Sequence, residues 1–279
     1  MGELKLTEIW IYPIKSLGGI RQSSSRVMEK GLPYDRRWML VDGHGKFMTQ
    51  RIHPSMALFK LSIDERYLIV RFKDDTINIP LKHTAVTPSE QVTIWDDVVT
   101  GYEVDPIFSK WFSQRLNFDC RLIYFPENNP RRVDPKYATG SEHVSLADAY
   151  PFLIIGQSSL DDLNNRLDNA VPINRFRPNF VFAGGAPYEE DTWRNFSIGE
   201  NNFVGVKPCA RCVLTTVNQD TAEKSSEPLK TLASYRTWNN KVYFGQNLLA
   251  IDHTMVREGD TINVSSYQEV NRDKAVIHP

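Results

Sequence analysis

The first hundred residues alternate apolar and polar positions over short stretches, as half-buried strands do. β-branched and aromatic residues fill these stretches, and Gly, Asp, Asn or Pro closes each of them. The clearest predicted strands span residues 4–12, 37–41, 57–63, 67–72, 76–81 and 92–95. The polar turns at 42–45 and 64–66 predict hairpin connections. This part of the chain is therefore predicted to be β-rich.

Helical spacing begins after Pro106, where apolar residues recur every three or four positions up to Leu116. A Ser cap followed by spaced leucines predicts a second helix at 159–167, and a third is predicted at 228–235. Further strands are predicted at 121–125, 179–182, 196–198, 203–206, 213–217, 242–251 and 261–264. The stretch 126–143 lacks periodicity and predicts a long loop or a domain boundary.

These patterns predict an α+β protein of two β-rich domains with a few helices. The composition shift puts the junction between about residues 105 and 130. We expect one domain at 1–122, a second at 123–268 and a tail at 269–279.

The charges balance almost completely, with 33 Lys and Arg against 34 Asp and Glu. Because no global field draws the chain to nucleic acid or a membrane surface, we expect neither as a partner, and any anion site must be a local cluster. The N-terminal residues contain no apolar run of the length that a signal peptide or membrane span needs. Three cysteines, an odd number, favour a reducing compartment. A cytoplasmic location is expected.

Cys209 and Cys212 form a CxxC pair in the segment KPCARCVLTT. We expect no zinc, because a structural site needs four ligands and the chain offers no second pair. A thioredoxin-type dithiol belongs at the start of a helix, whereas the residues after Cys212 predict a strand. Taken alone, such a pair is most often two small buried apolar residues. The adjacent Lys207 and Arg211 favour a thiolate instead.

Cations also recur beside turn residues, in the segments YPIKSLGG, DRRW, TQR and RFRPN. A Lys-Ser step that runs into two glycines lets backbone amides approach an anion, and Arg adds bidentate recognition of phosphate. The spacing of a P-loop is absent. Each segment by itself is more typical of a solvated turn.

Taken in order, the segments YPIKS, DRRWMLVD, FMTQR, SSLDDLNNRL, RFRPNFVF, EEDTW, CARCVLTTVNQDT and PLKTLASYR resemble the MOSC proteins that have an N-terminal β-barrel domain. Among these, the mitochondrial amidoxime-reducing components resemble the pattern most. The resemblance covers about residues 4–264. It implies two barrel-like domains with a cleft between them that holds a molybdopterin-bound molybdenum. Cys212, the second cysteine of the CxRC motif, would ligate the metal.

The resemblance also implies which residues hold the cofactor. Lys15 and Ser16 of YPIKS and Arg36 of DRRW would hold the pterin and its phosphate. Relatives often carry an aromatic residue where this chain has Arg37, so either arginine could face the cofactor. Five further residues would complete the pocket: Arg51, Ser158, Ser159, Arg177 and Asn179. A turn or helix cap is the default interpretation of Asp191 in EEDTW, and no catalytic role is assigned to it.

The function implied by the resemblance is a molybdenum-dependent oxidoreductase that removes oxygen from N-hydroxylated small molecules. Because no iron–sulfur extension is expected in the chain, electrons would come from a separate protein of the ferredoxin, flavoprotein or cytochrome type. Two alternatives stay open. One is a non-enzymatic cofactor carrier or sulfur-transfer module, and the other is a pyridoxal phosphate binder, for which no motif marks a Schiff-base lysine.

Overall fold

The structure is a computed structural model that describes residues 2–82 and 87–270. Its first part contains the strands β1 Lys5–Ile11, β2 Ile20–Gln22, β3 Ser24–Arg26, β4 Trp38–Val41, β5 Lys60–Ile63, β6 Tyr67–Phe72, β7 Asp75–Pro80, β8 Ser89–Ile94 and β9 Asp97–Glu103, then the helix α1 Pro106–Leu116 and β10 Arg121–Tyr124. Its second part contains β11 Phe152–Gly156, α2 Gln157–Asn164, β12 Phe180–Ala183, β13 Trp193–Ile198, β14 Asn201–Arg211, α3 Leu229–Tyr235, β15 Thr237–Trp238, β16 Lys241–Ala250, β17 Met255–Arg257 and β18 Ile262–Tyr267. The predicted α+β class is confirmed. Most of the predicted tail, residues 271–279, lies outside the described residues.

A nine-stranded sheet forms the larger layer, in the order β18-β13-β14-β16-β11-β12-β1-β2, with β15 beside β16. One of its strands, β1, comes from the start of the chain. It pairs antiparallel with β12, with Lys5 opposite Ala183. Large aromatic residues such as Phe180, Trp193 and Phe203 are completely buried against it. The start of the chain is therefore built into a sheet that is otherwise formed by residues after 150.

Two smaller sheets, β4-β10-β9-β8 and β5-β6-β7, occupy the first half of the chain together with α1. Asp105 caps this helix by accepting a hydrogen bond from the backbone N–H of Ile107 at 2.8 Å. Among the described residues, the named strands form no closed barrel. Isolated bridges from Lys46 to Thr93 and from Phe47 to Val41 connect the two edges of the four-stranded sheet. The arrangement is barrel-like, and isolated bridges rather than a ladder between named strands join its two edges.

Most predicted strands are found within one or two residues of their predicted ends. The strand predicted at 213–217 is wrong, because Val213–Thr216 forms a 3₁₀ helix. The hydroxyls of Thr215 and Thr216 donate to the carbonyls of Cys212 and Val213, at 3.0 and 2.8 Å. Such local bonds satisfy the backbone carbonyls without a strand partner. The chain therefore turns sharply just after Cys212.

Candidate functional site

A cavity of about 280 Å³ collects residues from both halves of the chain. Its volume is close to the lower end of the range of about 300–1,000 Å³ that is usual for small-molecule sites. Seven of the nine residues implied by the family resemblance line it: Lys15, Ser16, Arg36, Arg51, Arg177, Asn179 and Cys212. The structure thus brings together side chains that are up to about 200 residues apart. Their proposed roles remain predictions.

Ser158 and Ser159 lie on α2 and do not line this cavity. The Ser159 hydroxyl donates to both Glu190 carboxylate oxygens, at 2.9 and 3.0 Å, and accepts from the backbone N–H of Tyr188. Burial, with the nearby Asp191, raises the pKa of Glu190 to about 7. The hydroxyl of Ser159 thus has its partners inside the protein, whereas the buried hydroxyl of Ser158 has no hydrogen-bond partner among the described residues. A role of either serine in cofactor binding stays a prediction.

Asp191 itself lies in the 3₁₀ helix Glu189–Thr192, in agreement with the turn expected for EEDTW. It is completely buried and forms an ion pair with Arg236, which is also buried, with 2.6 Å between Asp191 Oδ2 and Arg236 Nη2. Neither residue lines the cavity, so Asp191 has a structural contact and no place in the candidate chemistry.

Positive charge dominates the cavity wall. The cations that line it are Lys15, Arg36, Arg51, Arg177, Lys207 and Arg211. In the described part of the chain, two carboxylates pair with this set: Asp35 holds Arg36, and Asp148 holds Lys15 and Arg51. Burial, and after it the charge of the neighbouring Arg36, lowers the pKa of Arg177 to about 10. The cavity therefore favours an anionic ligand.

Asp148 connects two of these cations at the thiol end of the cavity. Its carboxylate accepts from Lys15 Nζ at 2.5 Å and from Arg51 Nη2 at 3.2 Å. Burial of the site raises the pKa of Asp148, but Lys15 and Arg51 outweigh it and hold the pKa well below the usual range. The Asp148 side chain is 58% exposed, so the charges of the two cations determine the direction of this shift. Burial lowers the pKa of Lys15 to about 8, despite its partner Asp148.

The two cysteines have different cationic neighbours. Arg51 Nε donates to Cys212 Sγ at 3.1 Å, whereas Arg211 Nη1 donates to Cys209 Sγ at the same distance. Lys207 Nζ lies over the ring of Tyr137, 4.2 Å from its centroid. The expectation that Lys207 and Arg211 support the thiolate at Cys212 is therefore corrected. That charge comes from Arg51, which is 161 residues earlier in the chain.

Three cavity residues adopt the left-handed backbone conformation that favours glycine: Ser16, Arg36 and Arg177, with φ of 66°, 51° and 57°. Such conformations cost on the order of 1 kcal/mol or more each, and the surrounding structure must hold them. Tyr12 supplies part of that support. Its buried ring contacts both guanidinium groups, with the centroid 4.4 Å from Arg36 and 4.2 Å from Arg177. This backbone strain is concentrated where the cations converge.

The structure distinguishes Arg36 from Arg37. Arg36 lines the cavity, while the buried Arg37 donates from Nε to Glu127 at 2.6 Å and from Nη1 to the Asp35 carbonyl at 2.8 Å. Arg37 is absent from the cavity wall. Of the two candidates, Arg36 is the one that can reach a ligand there.

The glycines after Ser16 do not form the anion cradle that the sequence favoured. A Cβ on Gly18 would lie 2.7 Å from the Phe59 carbonyl oxygen, and one on Gly19 would lie 2.5 Å from the Tyr12 ring. Gly18 N–H donates to Phe59 at 3.2 Å. These glycines are needed for close packing, and neither lines the cavity.

Several site residues carry no signal in the sequence. Asp148 follows the aperiodic loop, and Tyr12 reads as the end of a strand. Gln50 is completely buried, donates to the Ser16 carbonyl at 2.7 Å and pairs with Gln219, so it supports the Lys15-Ser16 turn. Trp95 donates from Nε1 to Asp148 at 3.2 Å and lies under the Arg51 guanidinium. Only the fold brings these partners together.

Other features of the described residues bear on the ligand. Over 2–82 and 87–270, no three His, Cys, Asp or Glu side chains group as a set of metal ligands. No helix in the same ranges has the length and apolar character to cross a membrane.

A thiol in a cavity wall of six cations defines a candidate site for an anionic ligand that can also accept a sulfur donor. The MOSC N-terminal beta barrel domain matches residues 3–119, and the MOSC domain matches residues 141–263. The chain belongs to the MOSC family.

Its relatives include two kinds of protein. The chain is 32% identical to mitochondrial amidoxime-reducing component 1 of Mus musculus, over 92% of this chain and 81% of that protein. It is 30% identical to mitochondrial amidoxime reducing component 2 of Bos taurus, over 91% and 80%. It is also 31% identical to the molybdenum cofactor sulfurase of Oryza sativa subsp. japonica, over 94% of this chain but 34% of that protein. These relatives associate the family with the molybdenum cofactor and do not support the pyridoxal phosphate alternative.

Proposed function

We propose that this chain binds a pterin-type molybdenum cofactor in the cation-lined cavity and reduces N-hydroxylated small molecules. The observation that carries the proposal is the convergence of Cys212 with six cations in one cavity. A metal held by an anionic organic ligand matches both features, because the thiol meets the metal and the cations meet the organic anion. The similarity to the amidoxime-reducing components supports the choice of substrate class.

The cavity residues fit such a group chemically. Arg211 lies on the wall, and its Nε is buried with no hydrogen-bond partner among the described residues. A buried donor without a partner costs free energy, which a ligand acceptor would recover. The wall also combines a soft sulfur donor with planar guanidinium groups, which bind phosphate in a bidentate manner.

The residues divide into two groups by position. Cys212 would provide the thiolate ligand, and the 3.1 Å hydrogen bond from Arg51 would orient its sulfur and stabilise negative charge on it. Four of the five remaining cations would hold the phosphate and pterin: Lys15, Arg36, Arg177 and Arg211. The bound cofactor supplies two-electron oxo transfer, and the protein provides binding, orientation and charge. Electrons would arrive from a separate donor protein, and a cytoplasmic location stays a prediction from the sequence.

Anion binding should depend on pH through Lys15, whose pKa is lowered to about 8. Below about pH 8 the ammonium is charged and affinity for an anion should be nearly constant. Above it, each pH unit leaves about tenfold less charged Lys15, so affinity should fall by up to about tenfold per unit. Calorimetric titration of the cofactor-free protein with sulfate, whose charge is constant between about pH 6.5 and 9.5, measures this dependence. Lys15→Met should bind the anion more weakly, and its affinity should no longer change slope near pH 8. A change of slope that persists in this variant refutes the assignment.

The alternative is a carrier or sulfur-transfer module without turnover, and the likeness to the molybdenum cofactor sulfurase favours it among other possibilities. Protein made in cells that synthesise the cofactor separates the two. We expect about one molybdenum per chain, as one thiol ligand would hold, and steady reduction of benzamidoxime by a chemically reduced viologen. Bound molybdenum without turnover indicates the carrier. Absence of molybdenum from folded protein excludes both.

A further inference from the structure

A second cavity, of about 390 Å³, lies beside the first one, and residues 175–177 contribute to the walls of both. Arg175 lines this second cavity, whereas the next two residues, Phe176 and Arg177, line the first. The 3₁₀ helix Ile173–Arg175 thus separates two sites. The other residues of the second wall come mainly from 166–172 and from 218–231.

Arg175 is the unusual residue in this wall. It is only 7% exposed, and its Nη1 is buried without a hydrogen-bond partner. No ion pair or ring contact of its guanidinium is found in the described part of the chain. Of the other buried arginines, Arg37, Arg131 and Arg236 form ion pairs with Glu127, Asp97 and Asp191. Arg177 forms no ion pair, but its Nη1 donates to the Leu17 carbonyl at 2.6 Å. A buried cation without a partner is costly and requires an explanation.

The neighbouring charges do not supply the missing partner. Arg166, also in the wall, makes two 3.0 Å hydrogen bonds to Asp162. The carboxylate of Asp220 accepts from Lys60 Nζ at 2.6 Å. Burial lowers the pKa of Arg175 although the charge of Asp220 opposes this. Three carboxylates, those of Asp168, Asp220 and Glu227, line the same wall, but none of them forms an ion pair with Arg175 in the described part of the chain.

We propose that the second cavity binds a small hydroxylated oxyanion, a carboxylate or a phosphate ester, through Arg175. The oxyanion pairs with the guanidinium in the bidentate manner that arginine favours. Hydroxyl groups of the same ligand face the carboxylates of Asp168 and Glu227, which line the wall and accept hydrogen bonds. The proposed site depends on no feature of the first, cation-lined cavity. The proposal therefore holds whether or not that cavity binds molybdenum.

The test follows the side-chain Nε–Hε resonance of Arg175 by NMR, assigned by its loss in Arg175→Gln. Glycerol 3-phosphate and glycerate are the probes, because they share a hydroxylated body and differ in the anionic group. Glycerol is the neutral control. We expect a saturable shift with at least one anionic probe and none with glycerol. The probe that shifts the resonance identifies phosphate ester or carboxylate as the ligand, and no shift with either overturns the proposal.

Matched variants separate this cavity from the first one, which also attracts anions. In a calorimetric titration with the same probe, Arg175→Gln should weaken binding to the second cavity by about tenfold or more. Arg175→Lys should recover part of this affinity. Arg166→Gln, in the same wall but already paired with Asp162, should stay within about twofold. The ligand-free Tm of Arg175→Gln should not fall, since an unpaired buried charge is removed. A Tm lowered by several degrees, or equal loss in Arg166→Gln, refutes the assignment.

Discussion

Cys212→Ser should abolish molybdenum ligation and lower benzamidoxime reduction by more than about 100-fold. Replacing residues that merely orient metal ligands costs about 10–100-fold, so loss of the ligand itself should exceed this. The serine hydroxyl is a hard donor that does not replace a thiolate on a soft-binding metal. The absorption of the bound metal should change together with the activity. Metal analysis, absorption spectra and turnover of the purified variant measure these effects.

Cys209→Ser is the matched control, because Cys209 lines the same cavity and also accepts from an arginine. A serine oxygen can accept the same hydrogen bond from Arg211, so molybdenum content should be retained and activity should fall by less than about threefold. A dithiol couple or a zinc site needs both sulfurs, and both variants would then fail alike. Equal loss in the two variants, or full activity in Cys212→Ser, contradicts the single-ligand assignment.

Arg36 should be required for cofactor retention, whereas Arg37 should not. Arg36→Gln removes a cavity cation and should weaken retention by about 10- to 100-fold. Arg37→Gln, which breaks a pair outside the cavity, should lower Tm and leave retention unchanged. Molybdenum content after repeated dialysis and Tm by calorimetry, compared for the two variants, measure the difference.

A reversal of charge at Arg36 would give an ambiguous result. Its guanidinium makes hydrogen bonds of 2.8 and 2.6 Å to the completely buried Asp35, so Arg36→Glu would place two carboxylates together and disrupt folding. Arg36→Lys keeps a charge beside Asp35 and loses only the bidentate geometry. It should fold with nearly normal Tm and show intermediate retention. Normal retention in both Arg36 variants would remove this residue from the site.

Local pattern predicted most clearly the strands that alternate between buried and exposed positions. β6 was located to the residue, because alternation reports a half-buried strand. Every residue of β4, Trp38–Val41, and of β11, Phe152–Gly156, is buried and neither strand alternates, yet β4 was predicted and β11 was missed, so burial alone does not explain the difference. The predicted strand at 57–63 is a 3₁₀ helix at Pro54–Leu58 followed by β5, since periodicity cannot resolve so short a turn.

The candidate site divides in a similar way. Ordered motifs indicated seven cavity residues, since motif resemblance carries information on position that composition does not. The charge partners were not predictable, because Asp148 pairs with residues about 100 and 130 positions away and no local pattern records such a contact. The role of Gly18 was misjudged for the same reason, because the neighbour that requires a glycine, Phe59, is visible only in the fold. The division into domains at residue 122 stays a prediction.

The pairing of β1 with β12 determines when the large sheet can form during synthesis of the chain. Lys5 faces Ala183, so this edge of β1 waits for about 180 residues before its partner exists, whereas β2, on the other edge, follows within about ten residues. At about 5–20 residues per second this delay lasts roughly ten to thirty-five seconds. Throughout it, one edge of β1 has unpaired backbone groups that could pair with another nascent chain. Folding of the large sheet is therefore slow and late, and its most vulnerable interval precedes the appearance of Cys212.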